Sequence, residues 1–584
     1  MSLTVAMRNA LSGLNLNQFG LAVTSNNISN VNTPGYTRKN VEQSSRVANG
    51  IGSGVDISRI SRNVNNSLVR DLRNQMSRLG LAQTQQAYLD RMQDNFGKPG
   101  TANALNANIG RLGASFEAMG TNPQNSQYQL NTVSDAQRMA RQINDLANAT
   151  QNQRAQADQE ISSTITQINR LANQIQALND EVVRTGSVST GGQSATDAED
   201  RRDQALRELS ELIDVSSYQR GDGRLVVVVA GGFNLVSDSA AQLGYTPATA
   251  VSPATVFNPI TMNGSGNLTS RVASGKLRAL IDLRDTTLQN QMAQLDATAL
   301  ALRNNLNAQH NRGTSLPAQR TLTGTLGGLT NATALTATGI TRISVVDANG
   351  GIVANADIDL ATTATVGDLI TAINTALGAN GTASLVNGQL RIQAANAANG
   401  IAINENTSNV GGLGFSNNFG MNDFLVGGDN PAQAGDLALS LAVNPTLISN
   451  PGFVSRHQLS LTATAGQTGI APGDGSIAQA LAGVFTTSYA FSANGGLPGM
   501  NSTIADYVAS IIGLNANLSQ QARNDNEIAM ASMDNLDKRM AADTGVNIDE
   551  EMSRMVVLEN AYNASAKVIQ IVNQMFEQLE SIIR

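Results

Sequence analysis

Apolar side chains recur every seventh residue at both ends of this chain. Across residues 545–584 one row runs Ile548, Met555, Tyr562, Ile569, Phe576 and Ile583, and a second runs Leu558, Ser565, Val572 and Leu579. Two rows at this spacing form one seam on a helix that packs lengthwise against other helices. Asn547 can cap the start, Glu550 stands three residues on in capping-box register, and Asp549, Glu550 and Glu551 suit the positive end of the helix dipole. No Gly or Pro interrupts residues 548–584, which would span roughly 55 Å as one helix. Such a helix is marginal alone in water, so it needs a partner.

The other end supplies one. Met7, Leu14, Leu21 and Ile28 form a heptad row over residues 3–28, widened by Leu3, Ala10 and Leu11. Asn17 and Gln18 interrupt this face, and Gly13 and Gly20 lower its helicity. The expectation is that the two ends pair with each other and then with copies of themselves, leaving a lone chain with mobile ends and a folded middle. Periodicity alone leaves open a second arrangement, two terminal helices folded onto a private core.

The middle alternates between helix and strand patterns. Residues 64–96 carry Leu68, Leu72, Met76, Leu79, Leu89, Met92 and Phe96 on one helical face, ended by Gly97-Lys98-Pro99-Gly100. A shorter helix reaches Met119. Residues 124–184 form a long helix in which Ile161, Ile168, Ile175 and Val182 repeat by sevens beside Leu171 and Leu178, read as a bundle helix. After a loop at 186–196, Thr196 or Asp197 can cap a helix to Ile213. A strand follows at 225–230, flanked by glycine turns, then an irregular stretch at 247–266 and a helix over 275–310.

Residues 314–440 change composition to Thr, Ala, Gly and Asn, with strand-like runs at 341–346, 352–360, 385–393 and 401–404 around a helix at 366–377. A connector at 436–457 leads to helices at 476–491 and 502–543, the second introduced by Met500-Asn501-Ser502. The fold class is mainly α with β insertions. Residues 1–62 plus 544–584 form a terminal α-helical coiled coil. Residues 63–313 plus 441–543 form a long-helix bundle with a β-hairpin near 215–245. Residues 314–440 form an outer β-rich α/β insert domain.

Length and composition narrow the class. With 584 residues and 41% hydrophobic content the chain can build several cores. Aromatic residues are 3% and charged residues 14%, with no Trp, a balance more common in extracellular or polymeric proteins than in metabolic enzymes. The net charge of −7 argues against a nucleic-acid binder. The absence of Cys excludes thiol chemistry and a Cys-based metal site. No apolar run has membrane-helix length, and no secretory signal is expected.

Catalytic patterns are absent. His310 and His457 are the two histidines, without ligand spacing, so no metal site or catalytic triad is read, and His310 is placed as a capping or loop residue. Gly50-x-Gly52-x-Gly54 lacks the strand-to-helix context of a phosphate loop. The acids at 549–551 are helix-start acids before they are a cation site. Met530, Met533, Met540, Met552 and Met555 are read as core filler.

The turn after the first helix carries a signature. Its sequence, SNNISNVNTPGYTR from Ser25 to Arg38, combines Asn26, Asn27, Asn30, Thr33, Pro34, Gly35 and Tyr36. Asn tolerates left-handed backbone, and Pro34-Gly35 sets a tight reversal. This motif resembles the N-terminal signature of bacterial flagellar axial proteins of the rod, hook and hook-associated type. The segment GVNIDEEMSRMVVLENAYNASAKVIQIVNQMFEQL resembles the matching C-terminal signature. It departs from that pattern before Ala561-Tyr562, where a Gln-Gln or similar pair is replaced by Glu559-Asn560. The blocks LGASFEAMGTNPQN, RRDQALRELSELIDV, GDGRLVVVVAGGFNLV and LRNNLNAQHNRG are similar to the hook-associated branch.

The resemblance implies an extracellular structural protein of the flagellum, neither an enzyme nor a cofactor carrier. It implies a ring-forming adaptor between hook and filament. Its partners would be further copies of itself, hook protein, a second hook-associated junction protein and the filament. It implies secretion through the type III flagellar export apparatus without a cleaved signal, with an export chaperone on the C-terminal helix and neither nucleic acid nor membrane insertion. The assembly interface would be Met7, Leu14, Leu21, Ile28, Met555, Tyr562, Ile569, Phe576 and Ile583, with the insert outermost. Alternatives are another axial protein with a mostly β middle, or a secreted adhesin or enzyme oligomerised by its ends.

Overall fold

The computed structural model describes residues 3–48, 50–97, 104–186, 193–428 and 436–583. Lys98, Pro99 and Gly100 of the expected helix stop, and most of the expected loop at 186–196, lie outside them. The chain opens with α1 (Leu3–Ser29) and an antiparallel hairpin of β1 (Lys39–Ala48) and β2 (Ile51–Arg62). Then come α2 (Asn66–Phe96), α3 (Leu105–Thr121), the 61-residue α4 (Ser126–Gly186) and α5 (Gln193–Leu212). A sheet of β3 (Val215–Gln219), β4 (Leu225–Val229) and β5 (Phe233–Val236) replaces the expected hairpin with three strands. The stretch read as irregular pairs Leu243–Gly244 with Thr261–Met262.

One helix was expected over 275–310. The structure instead places α6 (Gly275–Asp282), a π turn (Leu283–Thr287) and α7 (Leu288–His310) in line. The wider turn carries Arg284 inward, where its side chain is 1% exposed and pairs with buried Asp158 of α4 at 2.9 Å. Tyr245 also bonds Asp158, whose second oxygen accepts the Ala248 N–H at 2.8 Å. A buried charge is tolerated only with such partners.

α4 joins two cores. Its first half, through Met139, Ile143 and Ala147, packs with α3, α7 and the start of α13 (Ile504–Thr544). Its second half buries Ile161, Ile168 and Ile175 against α2, α5, α6 and the small sheet. Between them Thr150, Gln151, Gln153, Arg154 and Asp158 are buried polar residues. The heptads of α4 therefore serve a bundle core.

The insert holds a sheet ordered 352–359, 340–346, 400–404, and a second ordered 381–386, 389–394, 321–323. α8 (Val366–Leu377) covers them, started by a complete capping box between Thr365 and Asp368. The run read as one strand over 385–393 is two strands reversed at Asn387-Gly388, both with positive φ, because Asn-Gly favours that hairpin turn. Packing draws the insert's edge differently from composition. Phe424 and Leu425, with residues of the one-turn helices α10 (Leu437–Ser440) and α11 (Pro445–Ser449), enter the helical core, whereas α9 (Phe415–Phe419) stays in the insert. Leu459, Ala463 and Ile470 instead pack on Val346 and Ile352 of the insert.

Three helix starts or ends also differ. α12 (Ser476–Gly483) is shorter than expected, since the Thr486 and Thr487 hydroxyls bond back to the Gly483 carbonyl. Residues 489–491 and 500–502 then pair as strands, and Thr503 caps α13. α5 already runs through Thr196 and Asp197, so neither caps it.

Where bundle and insert meet, His310 is fully buried rather than a loop residue. Its Nδ1 donates to the Asn422 carbonyl (2.6 Å) and its Nε2 accepts the Ser455 N–H (2.8 Å). Burial pulls its pKa down to about 4. Burial and then the Arg456 charge do the same to His457.

The unfolded chain takes up these protons near pH 6.5 and the folded chain only near 4. Stability present above pH 6.5 is therefore lost as pH falls toward 4, by about 1.4 kcal/mol per pH unit for each histidine. Calorimetric melting of His310→Gln between pH 7 and 4 should show a shallower acid slope than the unsubstituted chain. Parallel slopes would mean His310 is protonated in the folded state.

Candidate functional site

The two ends of the chain meet. α14 (Ile548–Ile583) lies antiparallel along α1, and three contacts set the register. A methyl group at Gly13 would lie 3.4 Å from Ser565 Oγ, and one at Gly20 would lie 3.1 Å from the Leu558 methyls. The Asn27 amide donates to Glu551 Oε2 at 3.0 Å. Each step is seven residues forward on α1 and seven back on α14. Val572, 4% exposed, continues the row by another seven. Gly20, counted against helicity, thus makes room for the Leu558 side chain, while a Cβ at Gly13 would meet Ser565 at an ordinary contact distance.

The predicted rows flank this line of contact. Met7, Leu14, Leu21 and Ile28 on α1 are half-buried, as are Met555, Tyr562 and Ile569 on α14, while Phe576 is 40% exposed. The side chain of Ile583 lies outside the described residues.

The signature turn closes the end of the pair. Asn27 is fully buried and uses its whole amide. Its Nδ2 also donates to the Lys39 carbonyl (3.0 Å), and its Oδ1 accepts the Lys39 N–H (3.1 Å) and the Tyr36 hydroxyl (2.9 Å). One side chain thereby acts as a strand neighbour to β1, which needs a donor and an acceptor side by side. Burial first, then the charges of Asp197, Asp200 and Glu551, push the Tyr36 hydroxyl above the usual tyrosine range, so it stays a donor. Asn30 Nδ2 donates to the Asn26 carbonyl (2.9 Å) and Oδ1 (2.6 Å), and Thr33 donates to Asn30 (3.1 Å). Gly35 has φ of 78°, and a Cβ there would crowd Gln204 of α5. Pro34 is exposed.

Charged residues that sequence reasoning did not single out complete the site. Arg38 donates to Glu551 Oε1 (2.6 Å) and to Glu550 Oε2 (2.8 Å), and Glu551 is completely buried. Asn547 does cap α14 through the Asp549 N–H (3.0 Å), but Glu550 reaches Arg38 and not back to the cap. Glu551 is an ion-pair partner, not a cation ligand. Lys39 is buried, stands 4.1 Å over the Tyr36 ring and pairs with Asp197 and Asp200 of α5. Arg62 of β2 reaches Glu199, Asp200 and Asp203 within 2.9 Å. Two signals pointed here: an acid seven residues before Leu558 on an apolar row, and acids at 197, 200 and 203 on one helical face.

This arrangement ties one end of the chain to the other, and both to α5, through hydrogen bonds and ion pairs. Among the described residues, no group of three His, Cys, Asp or Glu could hold a metal, and no helix is long and apolar enough to cross a membrane. Gly54 packs under α1, where a methyl would fall 2.2 Å from Ser12 Oγ, so its glycine serves packing. Met540 is buried with Leu68 and Leu72, but Met530 and Met552 are about half exposed, against the reading of all five methionines as filler.

Residues 89–328 match the profile of the flagellar hook-associated protein FlgK helical domain. Residues 7–37 match the flagella basal body rod protein profile, and residues 540–582 match the flagellar basal body rod FlgEFG protein C-terminal profile. Flagellar hook-associated protein 1 of Salmonella typhimurium is 28% identical over 319 residues, covering 53% of this chain and 56% of the relative. The protein of that name from Escherichia coli K12 is 27% identical over a similar span, and that from Bacillus subtilis 22% identical over 240 residues. The match therefore spans about half the length of these curated relatives. A solved flagellar hook junction protein FlgK from Burkholderia pseudomallei aligns over 81% of this chain and 99% of its own, at 15% identity and a TM-score of 0.48. With both terminal signatures and the helical domain between them, the chain belongs to the flagellar rod, hook and hook-associated axial protein family, in its hook-associated protein 1 branch.

Proposed function

We propose that this chain is a structural subunit of the bacterial flagellum, a ring-forming adaptor that joins hook to filament and performs no catalysis. It reaches its place through the type III flagellar export apparatus and assembles outside the cell by packing its terminal helices against further copies. Its neighbours are hook protein on one side and a second hook-associated junction protein, leading to the filament, on the other. An export chaperone holds the C-terminal helix before assembly. The insert faces outward.

The observation that carries this reading is the state of α14. One side meets α1, yet ten large apolar side chains on the helix remain exposed, from Ile548 and Met552 to Leu579 and Ile582. Patches of that kind on a soluble chain mark surfaces that other molecules cover. A surface that meets a different patch on the next copy builds a ring where the rotation closes and a helical tube where it does not. The helical middle of α2–α7 and α13 supports a hook-associated subunit over an axial protein with a mostly β middle.

Immunogold labelling of detached hook–filament particles should place the chain in a narrow band where hook meets filament. Labelling along the filament, or none on particles, would overturn the reading. Tyr562→Asp or Ile569→Asp should leave the unfolding of the bundle unchanged while abolishing incorporation, and normal motility in either variant would count against the seam. Glu551→Ala leaves Arg38 and the Asn27 amide without their carboxylate, which should destabilise the terminal pair by roughly 3–5 kcal/mol. Hydrogen exchange should then quicken in α1 and α14 but not in α3 or the first half of α4.

A further inference from the structure

Among the described residues the chain passes between bundle and insert four times, and each crossing is marked by the apolar cores its flanks enter. Leu306 lies in the helical core and Leu322 in the insert. Met421 lies in the insert and Phe424 in the helical core. Val454 lies in the helical core and Leu459 in the cluster on Val346 and Ile352, and Ile470 to Ile477 leads back. Both histidines of the chain lie on these crossings. His310, on the first, donates through Nδ1 to the carbonyl of Asn422 on the second and accepts the N–H of Ser455 on the third. His457, also on the third, bonds through Nδ1 to the carbonyl of Asp474 on the fourth. Two buried rings thus hold all four crossings together.

We propose that His310 and His457 form a latch, opened by acid, that releases the insert from the bundle while both units stay folded. Both nitrogens of His310 are already used. A proton on Nε2 would face the Ser455 N–H donor to donor and leave that amide buried without a partner. The acids nearby are engaged elsewhere. Asp423 lies 2.7 Å from both Asn311 and Thr325, and Glu405 faces Arg312 and the Asn417 N–H. The Asp474 carboxylate accepts the Gln458 and Ser476 N–H groups. It draws a proton toward His457, but burial and the Arg456 charge outweigh it. Arg456 is itself buried and donates to the Gly452, Val454 and Leu316 carbonyls, so it adds positive charge beside both rings. A protonated ring is therefore costly where it sits and is relieved by parting the crossings. Separate apolar cores let each unit stand when they part.

Closed, the rings titrate near pH 4; opened to water, near 6.5. The closed junction is favoured above pH 6.5 and loses that advantage as pH falls toward 4. Between pH 7 and pH 5 the open fraction should rise about twentyfold for each histidine. Hydrogen exchange of the full chain at these two pH values, with each amide's intrinsic rate divided out, tests this. The Thr314, Asn422 and Ser455 amides should lose at least about twentyfold in protection at pH 5, while amides of α3 and of the strand at 340–346 keep theirs within about twofold. His310→Gln and His457→Gln, which cannot take up the proton, should each recover about twentyfold of that loss. Unchanged protection at the junction would overturn the latch. So would a parallel loss in α3 or in 340–346, or an undiminished loss in both variants. If a variant fails to fold, the junction and core amides of the unsubstituted chain still decide the matter.

Discussion

A hydrogen bond between Asn27 and Glu551 joins side chains 524 residues apart with no access to water. A carboxylate in that position is costly unless every lone pair is used, and Arg38 and Asn27 between them use both oxygens. Once the pair forms, much of the terminal architecture follows. α14 must start beside the end of α1, β1 must run where Asn27 can bond Lys39, and Lys39 in turn holds α5 through Asp197 and Asp200. One buried amide therefore connects the terminal coil, the hairpin and the bundle.

From that knot outward, the terminal pair depends on small residues. Gly20 makes room for the Leu558 side chain, Gly13 lies over Ser565, and the seam repeats by sevens on both helices. The pair buries one side of each helix and leaves large apolar side chains on the rest of α14 exposed. Both ends match profiles of flagellar rod proteins, and it is at these ends that α14 keeps ten large apolar side chains exposed.

In the middle, buried polar groups fix how the elements pack. α4 passes through two apolar cores separated by buried polar residues, and the Arg284–Asp158 pair fixes the π turn at that boundary. At the far end, His310 bridges Asn422 and Ser455, while the Asn311 amide binds Asp423 and accepts from Ser416 and the Asn422 N–H. Chain segments crossing between bundle and insert are thus tied by hydrogen bonds out of water, where each is stronger and its loss more costly.

Local pattern determined a good deal by itself. The heptads of α1, α4 and α14 lie in adjacent residues, so periodicity exposes these helices, whereas the run at 385–393 reads as one strand although the structure turns it at Asn387-Gly388. The terminal signature located the helix end that carries Asn27 and the turn that leads to Tyr36. Tertiary structure decided what those elements meet. The place of Glu551 on the apolar row marks it among its neighbours, but nothing local reveals that it meets Asn27 and Arg38, or that Gly13 and Gly20 face Ser565 and Leu558, because those partners lie more than 500 residues away. The π turn, the split of residues 424–470 between two cores and the burial of His310 were likewise set by long-range packing. Sequence spacing fixes which side chains share a face; which face is buried depends on a surface contributed from elsewhere in the chain.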